Sequence, residues 1–559
     1  MSARLMRSMT MAESLEAVAA RCSRRTALWT PEARLTYQEL ERRASMLAAH
    51  LQRLGLHKGG RIATLLWGQP EFTYLFFAGA RLGAVLAPLP PRMRPSALEA
   101  VLRELAPELI VASSSLEVEG GLDTLRALRG SLPGRCEVAV VGGPVPGLLS
   151  FEDLMEDTAP AAGPSEPILS QDLLAIVYTS GTTGQPKGVM HSHRSLISPV
   201  VASLKLREMW STPFPAPARL GRWARVLLRY GTRLLRAAGR PQVMLSTMPL
   251  HTISGLEAML QALLMGDSLV LVPRFHPLRV LEAIERHRVT VLIGTPLSYQ
   301  ALMAVHDFER YRLSSLLICA TGAAPCPPAL AREIQRRFRC AVHIGFGMTE
   351  LGGGIAATNL EDAAEYQAET VGRPMPGMEI LIVDEQRRPV PPGVVGELAC
   401  RSDSVMIGYF GNTADLGASV DEAGWLYTGD LAVMDEQGYL RIVGRKKDMI
   451  IRGGQNIHAA RLEQFLGSIP GVREAAVVGV PDVLLGESVW AFIVPQPEAT
   501  LSEAELLARC RAALEAHEVP QRIRLLPDLP RTSSGKPRKP ELRELALRES
   551  KTNDATTAA

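Results

Sequence analysis

No two cysteines of this sequence stand in a C-x-x-C arrangement; the seven present (Cys22, Cys136, Cys319, Cys326, Cys340, Cys400 and Cys510) are scattered along 559 residues. Such spacing excludes a disulfide framework and reads as reduced thiols of a cytoplasmic protein. Clustered metal ligands are missing too. The one close histidine pair, His191 and His193, has no cysteine near it, so no zinc site is expected. No stretch of about 18 uninterrupted apolar residues occurs, which excludes a membrane-spanning helix. The first residues carry Arg4 and Arg7, then Glu13 and Glu16, without an apolar run, so no signal peptide is expected. Sequence repeats are absent, and neither sign of charge is in excess: the net value is +3. No nucleic-acid partner is expected, and any basic feature must be local.

What is present is an ordinary globular composition, 47% hydrophobic and 21% charged, over a length that implies two or more domains. From about residue 35 to 345, short apolar runs alternate with Gly or Pro loops and helix-period segments. Leu173–Tyr178, Ser268–Val272, Val289–Ile293, Leu316–Cys319 and Ala341–Ile344 are such runs. This alternation predicts parallel sheets covered on both faces, with ligands at the carboxyl ends of the strands. After about residue 370 the texture becomes alternating strands and turns, with Met378–Val383, a turn at Asp384–Arg388, and Val395–Arg401. Beyond the charged cluster Arg445-Lys446-Lys447-Asp448, a linker candidate, lies a compact α+β segment. It carries strands near Ala475–Val480 and Val489–Val494 and a helix near Ser502–His517. Lys551 to Ala559 reads as a polar tail.

One segment is out of character. Arg219, Arg222, Arg225, Arg229, Arg233, Arg236 and Arg240 recur at steps of three and four, which lines one face of a helix. Trp223 and several leucines fill other positions, and prolines flank both ends. Three readings stay open: an anionic membrane surface, an acidic acyl carrier protein, or a helix packed on its own domain with its arginines solvated.

Chemistry concentrates in Tyr178-Thr179-Ser180-Gly181-Thr182-Thr183-Gly184-Gln185-Pro186-Lys187-Gly188. An apolar strand runs into a turn of glycines and hydroxyls ending in a lysine. Glycine lets backbone N–H groups close on an anion, hydroxyls add donors, and the lysine adds charge. The spacing is not that of a Walker A loop. This segment resembles the phosphate-binding signature of the ANL superfamily of adenylate-forming enzymes: acyl-CoA synthetases, peptide-synthetase adenylation domains and firefly luciferases.

The resemblance extends over residues 30 to 540. Gly322-Ala323-Ala324-Pro325 is similar to the family's adenine-binding turn, and Gly345-Phe346-Gly347-Met348-Thr349-Glu350 to its Y-G-x-T-E motif, with Phe346 replacing tyrosine. The resemblance implies that Thr349 contacts the phosphates and Glu350 helps hold Mg²⁺, a hard cation suited to a carboxylate beside a triphosphate. Asp430, within Tyr427-Thr428-Gly429-Asp430, corresponds to the ribose-gripping aspartate, Arg445 to the arginine completing that grip, and Lys447 to the hinge. Lys536, in Pro530-Arg-Thr-Ser-Ser-Gly-Lys536, corresponds to the lysine that bridges the acid's carboxylate and the α-phosphate.

Some positions depart from the family pattern. Pro249-Leu250-His251-Thr252-Ile253-Ser254-Gly255 places His251 at an aromatic position and Thr252 at a histidine position of the acid-pocket wall. Gly453-Gly454-Gln455-Asn456-Ile457 keeps the two glycines expected to leave room for a pantetheine arm but changes acidic residues that follow. Lys539 stands where an arginine is expected. No aspartate near 249–255 is present to grip an amino acid's ammonium.

The resemblance implies an α/β ANL fold. Its large N-terminal domain, 1–446, has two α/β subdomains plus a β subdomain, and its small mobile α+β C-terminal domain is 447–559. It also implies an enzyme that uses ATP and Mg²⁺ to convert a carboxylic acid, expected to be a medium- or long-chain fatty acid, into acyl-AMP and then into a thioester. Coenzyme A is the expected acceptor and an acyl carrier protein the alternative. The expected location is cytoplasmic, with 219–240 as a candidate peripheral membrane contact.

Overall fold

The computed structural model describes residues 3–116, 120–156, 166–179, 186–211, 217–237, 239–411, 419–482, 484–497, 499–531 and 536–557. Local signals delimit the buried helices. Helix Tyr37–Arg53 opens on a capping box in which Thr36 and Glu39 satisfy each other's backbone N–H groups. Helix Pro70–Leu82 has proline in its first turn and ends on Gly83 at φ 72°, a left-handed cap that favours glycine. Helix Ile253–Leu264 is capped by the Thr252 hydroxyl, which accepts from Gly255 N–H.

These helices join two large sheets. The eight-stranded sheet has the order 408–409, 187–192, 173–179, 85–88, 61–65, 109–113, 137–141 and 149–150. The nine-stranded sheet runs 373–374, 353–357, 341–348, 318–321, 291–294, 243–246, 268–270, 26–29 and 34–36. Both are parallel through their middles, with antiparallel pairs at Leu173–Thr179/Lys187–Ser192 and at Ala341–Met348/Gly353–Ala357. One buried cluster runs from Ile62 and Leu86 of the first sheet through Phe72, Phe76 and Met259 to Leu28 and Leu269 of the second. Apolar burial of this extent is the main stabilising contribution.

A four-stranded antiparallel sheet follows, in the order 379–383, 396–401, 426–434, 440–445. After a 3₁₀ turn at Lys446–Asp448 comes a five-stranded sheet of 455–458, 449–452, 486–495 and 472–482, with 522–525 pairing to 486–495. Its hydrophobic clusters draw only on residues after 448, among them Ile450, Leu462, Trp490, Phe492 and Leu542. The chain therefore has the ANL architecture: a large N-terminal part of two α/β sheets and a β sheet, and a small α+β C-terminal part.

The arginine-rich segment departs from its expected course. It forms two helices, Pro217–Tyr230 and Thr232–Ala237, broken at Gly231 with φ 66°. The single helix expected over 219–240 is therefore interrupted, and Arg240 lies beyond both helices. Arg225, Leu227 and Leu228 are exposed and Val226 is buried. Arg229 donates to the Asp362 carbonyl at 3.0 Å, and Arg233 donates to the carbonyls of Ser314 and Leu316. No described helix is long and apolar enough to cross a membrane.

Candidate active site

Two neighbouring parallel strands, Ile318–Thr321 and Ala341–Met348, end side by side, and each feeds one of the expected motifs. Their loops pack closely: a Cβ on Gly322 would lie 3.0 Å from the Gly345 carbonyl oxygen, and one on Gly347 only 2.0 Å from that of Gly353. Gly347 is therefore fixed by the returning strand Gly353–Ala357. Ala323 adopts φ 63°, a left-handed conformation costly for a residue with a Cβ. Beside this turn the Thr321 hydroxyl, buried, has no hydrogen-bond partner among the described residues, which leaves it available to a ligand. Half-buried Ala324 and exposed Pro325 complete the turn.

The anion-binding turn is anchored by an antiparallel pair in which Thr179 faces Lys187. Thr179 Oγ1 donates to the Lys187 carbonyl at 3.4 Å. Ser180, Gly181, Thr182, Thr183 and Gly184 lie outside the described residues. Lys187 Nζ lies over the ring of Tyr409, 5.3 Å from its centroid, and the Tyr409 hydroxyl donates to Glu350 Oε1 at 3.1 Å. Lysine, phenol and carboxylate thus connect the turn to the Gly345–Glu350 motif. Phe346 and Met348 are half-buried and pack on the core below the four-stranded sheet.

Thr349 opens a 3₁₀ turn with Glu350 and Leu351. Its carbonyl accepts from His191 Nε2 at 2.8 Å, and His191 Nδ1 lies 3.1 Å from Ser195 Oγ. A carbonyl only accepts, so Nε2 carries the ring proton. Full burial pushes the His191 pKa down to about 4, leaving the ring neutral.

Asp430 and Arg445 face each other across adjacent antiparallel strands, and Arg445 Nε donates to Asp430 Oδ1 at 2.8 Å. Burial raises the Asp430 pKa, and Arg445 pulls in the opposite sense. Gly429, at φ 70° within the strand Leu426–Met434, donates its N–H to Glu397 at 3.1 Å. Lys446 pairs with the same Glu397 at 3.1 Å. Lys447, in the turn between the two sheets, has a pKa lowered by burial and then by Arg445.

Lys536 is brought to this place from the far end of the sequence. Its side chain is open to solvent on one side, yet surrounding protein, and after that Arg445, lowers its pKa, while Asp430 and Glu350 pull upward. Asp430, Arg445, Lys447, Glu350 and Lys536 therefore act on one another electrostatically. Lys539 also acts on Lys447, while its ammonium pairs with Glu463 at 2.8 Å inside the small part.

At the expected acid-pocket wall, His251 is buried, its pKa is pushed down to about 4 by burial, and its Nε2 has no partner among the described residues. Thr252 donates to the Pro249 carbonyl at 2.7 Å. Gly255 lies against that carbonyl, where a Cβ would come within 2.1 Å, so it fixes the loop rather than widening a pocket. Gly453 and Gly454 form a two-residue hairpin turn between Arg452 and Gln455, at φ 58° and 80°, and a Cβ on Gly454 would meet nothing within 4 Å. Left-handed backbone at both positions favours glycine.

Sequence reasoning missed Tyr409, His191's role, and Glu257. Glu257 is half-buried, accepts from Gly354 N–H at 3.1 Å and from Gln261 at 2.9 Å, and has its pKa raised to about 7 by desolvation of its carboxylate. No local motif marks these three. Tyr409 follows a segment outside any signature, and Glu257 sits in an otherwise apolar helix.

With this geometry in view, comparison with known proteins places the chain. The AMP-binding enzyme family matches residues 15–410, and the AMP-binding enzyme C-terminal domain matches 461–536. A medium-chain fatty-acid–CoA ligase of Escherichia coli (strain K12) is 33% identical over 92% of this chain and 86% of its own length. An indoleacetate–CoA ligase of Aromatoleum aromaticum is also 33% identical, over 94% of this chain and 96% of its own. A crystal structure of the anthranilate CoA ligase AuaEII with anthranoyl-AMP superposes with a TM-score of 0.82 at 26% identity, covering 97% of this chain and 98% of that one. The chain belongs to the AMP-binding enzyme family, in the acyl-CoA synthetase branch of the ANL superfamily, and is an AMP-forming acid–thiol ligase whose substrates include ATP and coenzyme A.

Proposed function

We propose that the acid is a medium- or long-chain fatty acid, that Lys536 drives its adenylation, and that a boundary at 446/447 lets the small domain swing about Lys447 between the two half-reactions. The observation that carries this reading is the gathering of Lys536, from the small C-terminal part, with Asp430, Arg445 and Glu350 of the large one. In the first half-reaction an acid oxygen attacks the α-phosphate and pyrophosphate leaves. Two anions must approach each other, and the Lys536 ammonium offsets their repulsion as charge develops. Asp430 accepts from the two ribose hydroxyls, with Arg445 holding its carboxylate in place. Thr179 to Lys187 and Thr349 bind the phosphates, and Gly322 to Pro325 with Gly345 to Met348 receive the adenine.

Glu350, a single carboxylate beside the phosphate turn, suits Mg²⁺. That ion takes one or two carboxylates together with substrate phosphates and would neutralise charge on the leaving pyrophosphate. Rotation about Lys447 then withdraws Lys536 and lets the thiol reach the acyl carbonyl, with AMP leaving and the reactive adenylate kept from water. His251, Thr252 and Gly255 are proposed to line the acid side, and Gly453-Gly454 the thiol path.

The fatty-acid assignment draws on the E. coli relative; an aryl or arylalkyl acid, as in the other two relatives' names, is the outcome that would replace it. A pyrophosphate-release screen from short to long fatty acids and aryl acids decides. Comparing coenzyme A with a phosphopantetheinylated carrier protein tests the carrier alternative. Lys536→Ala should abolish acid-dependent pyrophosphate release while still converting supplied acyl-adenylate to thioester; equal loss of both steps sinks its role. Peripheral contact of 219–240 with an anionic membrane draws on exposed Arg225, Leu227 and Leu228. Unchanged flotation of Leu228→Glu with anionic vesicles would retire it.

A further inference from the structure

On either side of the break at Gly231, half-buried Arg229 and exposed Arg233 line a cavity of about 260 Å³ at the opposite ends of the catalytic strands. Arg229 and Arg233 line it from above. Arg339, just past the helix Pro328–Phe338, lines it from the side, and Cys340 and Ala341, where the strand Ala341–Met348 begins, form its floor. The adenine-turn and Gly345–Glu350 motifs lie at the other ends of these strands, so this cavity is separate from the active site.

Its charge is one-sided. None of the three arginines forms an ion pair among the described residues, and no described carboxylate lines the wall. Arg229 and Arg233 donate to main-chain carbonyls, and Arg229 also lies over the Tyr230 ring, 5.2 Å from its centroid. The nearby Asp362 carboxylate is already held by Arg373 at 3.1 Å and by the Tyr439 hydroxyl at 2.7 Å. Leu234, Leu316 and Leu317 supply an apolar wall. A guanidinium fork suits a carboxylate or phosphate bidentately, and such groups stay strongly attractive where their charge is not already neutralised.

We propose that this cavity is a second binding site, for a small amphiphilic oxyanion: a carboxylate or phosphate head held by Arg229, Arg233 and Arg339, with a short apolar tail against the leucines. The volume admits a molecule of that size and excludes a nucleotide or coenzyme A, which need pockets at the upper end of the roughly 300–1,000 Å³ range of ordinary ligand sites.

The test uses the full chain with its catalytic cleft filled by a hydrolysis-resistant acyl-sulfamoyl adenosine, so that added anions cannot bind there. Calorimetric titration with hexanoate, hexyl phosphate and inorganic phosphate should leave one site for a tailed anion, and the tighter of the two tailed probes identifies the head group. Arg339→Asn removes one guanidinium while suiting the left-handed backbone at φ 51°, and should weaken that binding at least tenfold without changing basal thioester formation. Leu234→Trp, which fills the cavity and leaves every charge in place, should weaken it as well. Absence of binding by both tailed probes, equal affinity of Arg339→Asn, or equal affinity for inorganic phosphate alone would overturn the proposal.

Discussion

Buried charge decides the behaviour of single residues here. Asp430 is 4% exposed and shares its carboxylate with Arg445, so on its proposed role its removal costs the nucleotide two hydroxyl contacts, and it leaves a cation without this partner. Hydrogen bonds to a charged acceptor contribute roughly 1.5–3 kcal/mol each. Asp430→Ala should therefore raise the Kd for ATP at least tenfold by calorimetry; an unchanged value would remove the ribose assignment. Glu257 gives a pH signature. Burial raises its pKa to about 7, so the native chain holds the proton more tightly than the unfolded one. The stability this contributes is complete below the usual glutamate range and is lost as pH rises through about 7, a change on the order of 3 kcal/mol. Glu257→Gln should flatten the stability curve between those limits in denaturant titrations, and an unaltered slope would place the titration elsewhere.

At the scale of elements, glycines separate packing from handedness. A Cβ on Gly347 would press on the backbone of Gly353 at 2.0 Å, which nothing flexible can relieve. A Cβ on Gly454 meets open space and suffers only its φ of 80°. Gly347→Ala should cost about 1–3 kcal/mol or more and displace Thr349 and Glu350, with adenylation falling sharply. Gly454→Ala should cost about 1 kcal/mol and leave adenylation intact. Thermal melts with pyrophosphate release separate the two, and the reverse order would refute the assignment.

The same contrast shows what was readable in the sequence. Apolar runs such as Leu173–Tyr178 and Ala341–Ile344 became strands because alternation and length are local properties, and Ser502 with Glu505 starts its helix with a capping box. The helix expected to reach His517 ends at Ala513, where Leu514 turns extended. Arginine spacing said nothing of Gly231, whose left-handed φ breaks the helix between Arg229 and Arg233. Tyr409 and His191 were hidden because their partners, Glu350 and Thr349, lie far away in sequence and meet them only through sheet pairing.

For the whole molecule, the proposed swing can be stopped. A Cβ on Gly444, in the last strand of the four-stranded sheet, would lie 3.9 Å from His458 Nδ1 in the small part. Oxidised Gly444→Cys/His458→Cys should release pyrophosphate and accumulate acyl-adenylate but form no thioester until a reductant is added. Thioester formation by the oxidised, cross-linked enzyme would refute rotation about Lys447.

Lys536 also stands far behind Arg445 in the order of synthesis. On its proposed role, a nascent or truncated chain could fold a complete nucleotide clasp and still spend no ATP, because the cation that makes the clasp an engine is translated well after it. Fragments and stalled products would then sequester nucleotide harmlessly instead of leaking activated acids into the cell.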